Sequence, residues 1–464
     1  MSVVERGAAA DREREAARAA RGDGEKTAVP AGAHVSGRAH LHELDMLRVV
    51  TAFGVVAVHV LAYTVIYNAT QVGALLQHGV ESAMHYTREV FMFTTALVLV
   101  YTYIGKRFNL TLFTRKRFIG VAVPYILWSI IYILHDAHPT APLALLSLTG
   151  HDLIAGTASF QLYYILLTIQ FYMLFPVFLW VLPRLDRHPW VVLGAAAVVQ
   201  LAILWLDYAY AQRNPFASTP LGVFINTYQN SFVLMYPFYF VLGGICALHL
   251  PRIKAFTLRH GKLVASVFAA MLAVFVGAYA YRITLGHEDT VYVISVLQPL
   301  MLPYSVAVIA FVWWISVRWA SAPRHARTSR QTQSTGQTHE TAYEAAPSAQ
   351  IAPRGSRGWR VLADATFGVY LVHPLFMYWA MDKVVPLLAK GVPEPVLVAL
   401  VWTITVAGSS LLSIALMYTP VLSRLVGRAA PLPVILARPL NAVGARPRER
   451  EERWLSPRRR RVTA

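Results

Sequence analysis

Long apolar runs recur along this chain, and they restrict its fold more than any other feature. Each run has about 20 residues, which is the length that an α-helix needs to cross the hydrocarbon core of a bilayer. Only 14% of the 464 residues are charged, against about 25% in soluble domains. We therefore predict an all-α polytopic membrane protein with about ten transmembrane helices, near residues 44–67, 86–104, 117–135, 160–182, 190–209, 229–249, 263–282, 291–317, 361–384 and 394–419.

The basic residues predict the orientation of these helices, because cytoplasmic loops are enriched in lysine and arginine. With the N-terminus inside, the cytoplasmic loops contain a region from Arg318 to Arg360 together with Lys106, Arg107, Arg115, Lys116, Arg117, Arg184, Arg187, Arg252, Lys254, Arg259 and Lys262. The outward loops contain Arg213, Arg282, Lys383 and Lys390. We therefore predict cytoplasmic N- and C-termini in a multi-pass protein of the cell membrane.

Composition divides the chain into five parts. We predict a disordered cytoplasmic tail at 1–42, helices one to eight at 43–318, a flexible cytoplasmic linker at 319–358, helices nine and ten at 359–420, and a basic cytoplasmic tail at 421–464. The net charge of +18 collects in the tails and at the ends of the helices. This distribution predicts contact with the lipid bilayer and no binding of nucleic acid.

Two ionisable residues, Arg48 and His59, lie within the first apolar run, and Asp45 lies just before them. Ionisable side chains are costly in a lipid-spanning helix, so their presence there predicts a functional site. A separation of eleven residues is about three helical turns, or roughly 16 Å along the axis, so both side chains share one face. In the predicted orientation Arg48 lies at the cytoplasmic end of the helix and His59 near its middle.

Two further candidates lie on other helices. His373 is about twelve residues into the ninth run, at a depth similar to that of His59. It lines one cavity with His59, or its imidazole hydrogen-bonds a neighbouring helix; the sequence leaves both open. Tyr163 begins the fourth run at the outward face. A tyrosine there suits a sugar-like acceptor, although interfacial tyrosines also anchor membrane helices.

The third run begins with the basic residues Arg115, Lys116 and Arg117 at the predicted cytoplasmic surface. Positive-inside anchoring is sufficient to explain them. Arginine and lysine also bind phosphate, so Arg115 and Arg117 are second candidates for contact with a nucleotide-like donor.

Other kinds of site find little support in the sequence. There is no HExxH motif, paired CxxC motif or carboxylate cluster, so we predict no metal site. A haem between His59 and His373 would leave Arg48 unexplained. The sequence has no Walker motif, which argues against an ATP-driven pump. The single cysteine, Cys246, excludes an internal disulfide.

An ordered set of motifs resembles the acyltransferase-3 family of integral-membrane O-acyltransferases. The first is LDMLRVVTAFGVVAVHV, in which ten residues separate Arg48 from His59, followed by FMFTTALVLVYTYIGKRF, TRKRFIGVAVPYILWSIIY, FQLYYILLTIQFYMLFP and FGVYLVHPLF. The resemblance covers most of residues 42–420. It departs from the family pattern at Gly120, near the place of a second arginine, and at Gln161, where a histidine is common.

The resemblance implies transfer of an acyl group from acyl-CoA, with acetyl-CoA expected, to a hydroxyl of a cell-envelope glycan or a glycosylated metabolite. It implies no tightly bound cofactor, since acyl-CoA is a substrate. We expect His59 to be the general base, Arg48 to bind the thioester region or CoA phosphates, and Asp45 to orient Arg48. Residues expected to bind substrate are Arg115, Arg117, His373 and Tyr163. The alternative function is a transporter or flippase of a glycan or lipid-linked intermediate.

Overall fold

The computed structural model describes residues 40–427 except 69, 139–140, 214, 322–355 and 389–390, and all the regular structure within these ranges is helical. The α-helices are α1 (His42–Thr64), α2 (Gln71–Met84), α3 (Thr87–Tyr103), α4 (Leu110–Asp136), α5 (Pro142–Ala155), α6 (Tyr163–Leu185), α7 (Pro189–Leu206), α8 (Pro220–Tyr228), α9 (Pro237–Leu248), α10 (Leu250–Arg259), α11 (Gly261–Thr284), α12 (Thr290–Val293), α13 (Met301–Ala320), α14 (Ser356–Lys383), α15 (Val385–Leu388) and α16 (Glu394–Tyr418). Almost all of the predicted N-terminal tail, and most of the predicted linker and C-terminal tail, lie outside the described residues.

Eight of these helices are long and apolar enough to cross a membrane, namely α1, α4, α6, α7, α11, α13, α14 and α16. The pair α9 and α10 would add a ninth crossing as one span, but the pair is bent by 92°. The predicted span at 86–104 is helix α3, whose 17 residues are at the lower limit for a crossing. The all-α membrane fold is therefore confirmed. The count of ten crossings and the orientation of the termini stay predictions.

Two predicted spans begin later than the apolar pattern indicated. In the span predicted at 229–249, the α-helix begins at Pro237, after two short 3₁₀-helical segments. The span predicted at 291–317 becomes the long helix α13 at Met301, after the short helix α12. Proline explains both starts, because Pro237 and Pro303 each lie in the first turn of their helix. Backbone N–H groups in the first turn have no intrahelical acceptor, so no helical hydrogen bond is lost when proline lacks its N–H.

Helix α1 is central to the packing of the described chain. It contacts α2, α3, α13, α14 and α16. Leu47 belongs to one buried apolar cluster, Val55 to a second and Val60 to a third, so successive turns of α1 pack against different neighbours. By contrast, α7 and α11 are largely exposed on the outside of the bundle. Polar side chains of α1 therefore point into protein and not into lipid.

Small residues bring two pairs of helices close together, namely α3 with α9 and α14 with α16. Gly243 of α9 lies against the backbone carbonyl of Phe93 in α3, and Gly408 of α16 lies against the ring of Phe376 in α14. A Cβ atom at either glycine would overlap the facing atoms. Close packing through small residues is the usual way in which membrane helices associate. These contacts hold α3 and α14, which both border the site, against the rest of the bundle.

Candidate functional site

Two cavities lie next to each other along helix α1. The first has a volume of about 300 Å³ and is lined by Arg48, and the second has a volume of about 190 Å³ and is lined by His59. Both cavities share three aromatic lining residues, which are Phe91, Tyr164 and Tyr370. The Tyr164 ring centroid lies 5.8 Å from that of Phe91 and 5.7 Å from that of Tyr370. We call the two spaces the arginine cavity and the histidine cavity, and the three rings the aromatic divider.

The arginine cavity contains two cationic side chains, Arg48 and Arg117. The guanidinium of Arg117 lies 5.8 Å from the centre of the Tyr172 ring. Its Nε is buried and has no hydrogen-bond partner among the residues that the structure describes. A buried donor of this kind is costly unless a ligand or water accepts from it. The arginine cavity can therefore bind an anionic group.

Two carboxylates accompany Arg48. Asp45 is buried one turn earlier on α1, and Asp364 of α14 lines the arginine cavity. Both lie near enough to stabilise the positive charge of Arg48. Asp45, which we predicted to orient Arg48, thus shares this role with Asp364, to which the sequence analysis assigned no function. Asp364 could have been noticed as an acidic residue nine positions before His373 in the same apolar run.

The predicted phosphate-binding pair at the start of α4 is separated by the structure. Arg117 lines the arginine cavity, whereas Arg115 and Lys116 are exposed and line neither cavity. Two residues along a helix correspond to a rotation of about 200°, so Arg115 and Arg117 point in nearly opposite directions. Of this pair, only Arg117 is placed to bind a ligand in the cavity.

Gly120 and Gln161, the two departures from the family pattern, have structural contacts of their own. Pro124 lacks an N–H, so the backbone carbonyl of Gly120 has no helical hydrogen-bond donor four residues later. Gly427 (φ 70°) lies against this carbonyl. Gln161 is buried and accepts hydrogen bonds from Ser159 through its side chain and from Tyr370 through its backbone carbonyl. Gln161 thus supports one ring of the aromatic divider.

His59 packs in a three-ring cluster with Phe160 and His373 and lines the histidine cavity. Its ring centroid lies 4.4 Å from that of Phe160 and 5.4 Å from that of His373. The ring nitrogens of His59 make no hydrogen bond to another residue of the described chain, so they are available to a molecule in the cavity. An imidazole in this position can accept a proton from a bound hydroxyl.

His373 is fully buried and packs behind His59. Helix α14 contains Pro374, which has no N–H, so the carbonyl of Tyr370 lacks its usual helical donor. The Nδ1 of His373 donates a hydrogen bond of 2.8 Å to this carbonyl. Its Nε2 is buried without a hydrogen-bond partner in the described chain. His373 lines neither of the two cavities, so its place is against the predicted base and not in the cavity wall.

Tyr163 lines the histidine cavity, as do several polar residues to which the sequence analysis gave no role. These include Glu81, His85, Arg88 and Asn230. Glu81 lies in α2, and His85 is the first residue after the end of this helix. The segment lies between the first two predicted spans and was assigned no structure, but the spacing in HGVESAMH places His78, Glu81 and His85 on one helical face.

The charge of Arg88 is neutralised within the protein. Its Nη2 donates to Glu89 Oε1 at 2.9 Å and to the backbone carbonyl of Val296 at 3.3 Å, and its Nη1 donates to Asn230 Oδ1 at 3.2 Å. The guanidinium also lies 4.7 Å from the centre of the Tyr236 ring. Arg88 therefore has a structural partner for most of its donors.

Burial shifts the pKa values of Glu81 and His85, at the end of α2. Burial, with a smaller effect of the Arg88 charge, lowers the pKa of His85 to about 3, so His85 is neutral at pH 7. Burial raises the pKa of Glu81, opposed by its hydrogen bond with His78. Besides the internally paired Arg88, the polar lining of the histidine cavity thus includes the neutral imidazole of His85, the amide of Asn230, the phenol of Tyr163 and the carboxyl group of Glu81.

A family model described as an acyltransferase domain matches residues 41–418. No curated protein and no solved structure matches the chain. The matched region covers more than half of the chain and includes every lining residue of both cavities. The chain therefore belongs to the acyltransferase-3 family and is a multi-pass membrane acyltransferase.

Proposed function

We propose that this protein transfers an acyl group from acyl-CoA, with acetyl-CoA as the expected donor, to a hydroxyl of a cell-envelope glycan or a glycosylated metabolite. The supporting observation is that Arg48 and His59 open from one helix into two adjacent cavities that share the aromatic divider. Such an arrangement suits a donor in one cavity and an acceptor in the other. In the predicted orientation, in the cell membrane, the arginine cavity faces the cytoplasm, where acyl-CoA is present.

The donor would bind in the arginine cavity. Arg48 and Arg117 supply cations for the phosphates of CoA or for the thioester carbonyl, where negative charge develops during attack. The volume of about 300 Å³ is at the lower limit for small-molecule pockets. It therefore suits the acyl and thiol end of the donor, with the nucleotide end outside.

The base would act from the histidine cavity. His59 removes the proton of the acceptor hydroxyl as its oxygen attacks the thioester carbonyl carbon. The new C–O bond forms, the C–S bond breaks, and the CoA thiolate leaves and takes up the proton. General-base catalysis of this kind typically contributes about 10²–10⁴-fold in rate. Positioning of both reactants in adjacent cavities adds to this contribution.

A transporter or flippase is the second candidate function. Two adjacent cavities with ionisable side chains in a helical bundle also suit a path for a substrate across the membrane. The two candidates differ in their products, since acyl transfer releases CoA and transport does not.

The test uses the purified full-length chain with labelled acetyl-CoA and a mixture of simple glycosides. We expect release of CoA and a labelled acetyl ester, and we expect His59→Ala to lower both by about 10²–10⁴-fold. The matched control is His249→Ala, because His249, like His59, is a partly buried histidine, but it lines neither cavity. Translocation of a glycoside by the wild-type protein without release of CoA would contradict the proposal.

A further inference from the structure

The histidine cavity has a carboxylate that the proposed reaction does not use. Helix α2 and the residue after it place Glu81 and His85 in the wall of this cavity, which Tyr163 and His59 also line. The side chain of Glu81 is 8% exposed and that of His85 is 11% exposed. A carboxyl group buried to this degree is costly unless its oxygens accept hydrogen bonds.

Only one oxygen of Glu81 has a close partner within the described chain. Its Oε2 lies 3.0 Å from His78 Nδ1, a hydrogen bond, whereas its Oε1 lies 3.8 Å from His85 Nε2, which is too long for one. The Nδ1 of His85 is buried and has no hydrogen-bond partner among the described residues. Glu81 and His85 therefore have unused hydrogen-bonding capacity at the cavity wall.

The nearest cation in the cavity does not satisfy Glu81. Arg88 gives its donors to Glu89, Asn230 and the backbone of Val296, so its charge is used elsewhere. An anionic ligand would thus meet the Glu81 carboxyl without a free cation to balance it. A neutral ligand rich in hydroxyl groups can donate to Glu81 and exchange hydrogen bonds with His85 and Tyr163.

The size of the cavity limits how much of such a ligand enters. A volume of about 190 Å³ lies below the ~300–1,000 Å³ of pockets that enclose a whole small-molecule ligand. The cavity therefore suits the end of an acceptor, such as one ring of a glycan, with the remainder outside.

We propose that Glu81 and His85 form the acceptor subsite and select a neutral, hydroxyl-rich ring. Glu81 accepts a hydrogen bond from a hydroxyl of this ring other than the one that is acylated, and His85 binds a further hydroxyl. These contacts present the reacting hydroxyl to His59. The inference rests on the proposed acyl transfer, and it concerns acceptor binding alone.

The test measures CoA release from acetyl-CoA by the full-length chain, with methyl glucoside, methyl glucuronide or methyl glucosaminide as acceptor. We expect wild-type protein to prefer methyl glucoside to the anionic methyl glucuronide. We expect Glu81→Gln to raise the KM for methyl glucoside about tenfold, to reduce the preference over the glucuronide, and to leave the KM for acetyl-CoA unchanged. His85→Gln, a second variant at the subsite, should raise the same acceptor KM.

Two controls separate the possible outcomes. His249→Gln alters a histidine–carboxylate pair outside both cavities and should keep every wild-type constant. An unchanged KM for acetyl-CoA shows that a subsite variant is folded. If the wild-type protein releases CoA but both variants keep the wild-type acceptor KM, or raise both KM values equally, the acceptor subsite is wrong. If the wild-type protein releases no CoA with any glycoside, the proposed acyl transfer itself is wrong.

Discussion

The imidazole of His373 stacks on that of His59, with ring centroids 5.4 Å apart and an angle of 19° between the planes. The two residues lie on different helices, α14 and α1, and His373 is fully buried. His373 thus supports the ring of the proposed base together with Phe160, whose ring centroid lies 4.4 Å from that of His59 and 5.9 Å from that of His373. This relationship makes His373 a positioning residue.

We expect His373→Ala to lower kcat because the His59 ring loses one of its two aromatic ring contacts. A small displacement of a reacting group can reduce the rate up to about a hundredfold, so we expect a decrease between tenfold and a hundredfold. The KM for acetyl-CoA should not change, because His373 lies outside the arginine cavity. Steady-state kinetics of CoA release measure both constants. An increase in this KM with an unchanged kcat would contradict a positioning role.

Arg117 and Arg115 form a matched pair for testing the donor site. Arg117→Ala should raise the KM for acetyl-CoA about tenfold, because a hydrogen bond to a charged group contributes about 1.5–3 kcal/mol. Arg115→Ala should leave this KM nearly unchanged, since Arg115 is exposed and lines neither cavity. Equal effects of the two substitutions would indicate that general surface charge, and not the cavity, attracts the donor.

Phe91 tests the aromatic divider. Phe91→Ala removes one of the three rings between the two cavities and should admit water to the donor. We therefore expect more CoA release in the absence of any acceptor, and a lower ratio of acyl transfer to hydrolysis. Phe224→Ala is the control, because Phe224 is exposed and lines neither cavity. A ratio of transfer to hydrolysis that stays at the wild-type value would argue against a dividing role.

Glu288 allows a prediction of stability against pH at a site outside the membrane-spanning helices. Arg282 donates hydrogen bonds of 3.0 Å and 2.9 Å to the two oxygens of Glu288, and these bonds lower the pKa of Glu288. A carboxyl group with a lowered folded-state pKa stabilises the fold above its unfolded pKa, and this contribution is lost as the pH falls through the folded-state pKa.

We therefore expect Glu288→Gln to reduce stability at pH 7, by no more than about 1 kcal/mol because the pair is partly exposed. The difference from the wild-type protein should decrease as the pH falls below about 4.3, the ordinary value for glutamate. Thermal unfolding in detergent at several pH values measures it. A difference that is the same at pH 3 and pH 7 would show that the Glu288 charge is not responsible.

The sequence was sufficient to predict the membrane fold and the alignment of Arg48 with His59. Apolar runs have a length set by the bilayer, and a separation of eleven residues has a fixed meaning on a helix. The same reasoning was weaker where the chain bends or shortens. The 92° bend between α9 and α10 lies at His249, with Leu248 and Leu250 on either side, so the apolar pattern alone did not indicate it.

The polar half of the histidine cavity escaped the sequence analysis for a different reason. Helix α2 has 14 residues, too few to cross a membrane, so the region appeared to be a loop. Glu81 and His85 are polar because they face a cavity and not because they face water. Asp364 was also missed, since its relation to Arg48 depends on the packing of α14 against α1. Contacts between distant helices are not encoded in local periodicity.

The proline after His373 also determines where the hydrogen atom of this imidazole lies. A backbone carbonyl can only accept, so the contact with Tyr370 requires the hydrogen on Nδ1 and leaves a lone pair on Nε2. A second hydrogen, on Nε2, would be a buried donor without a partner in the described chain. The backbone of α14 thus selects one tautomer of His373, and the ring that stacks on His59 carries no positive charge that would oppose proton uptake by the base.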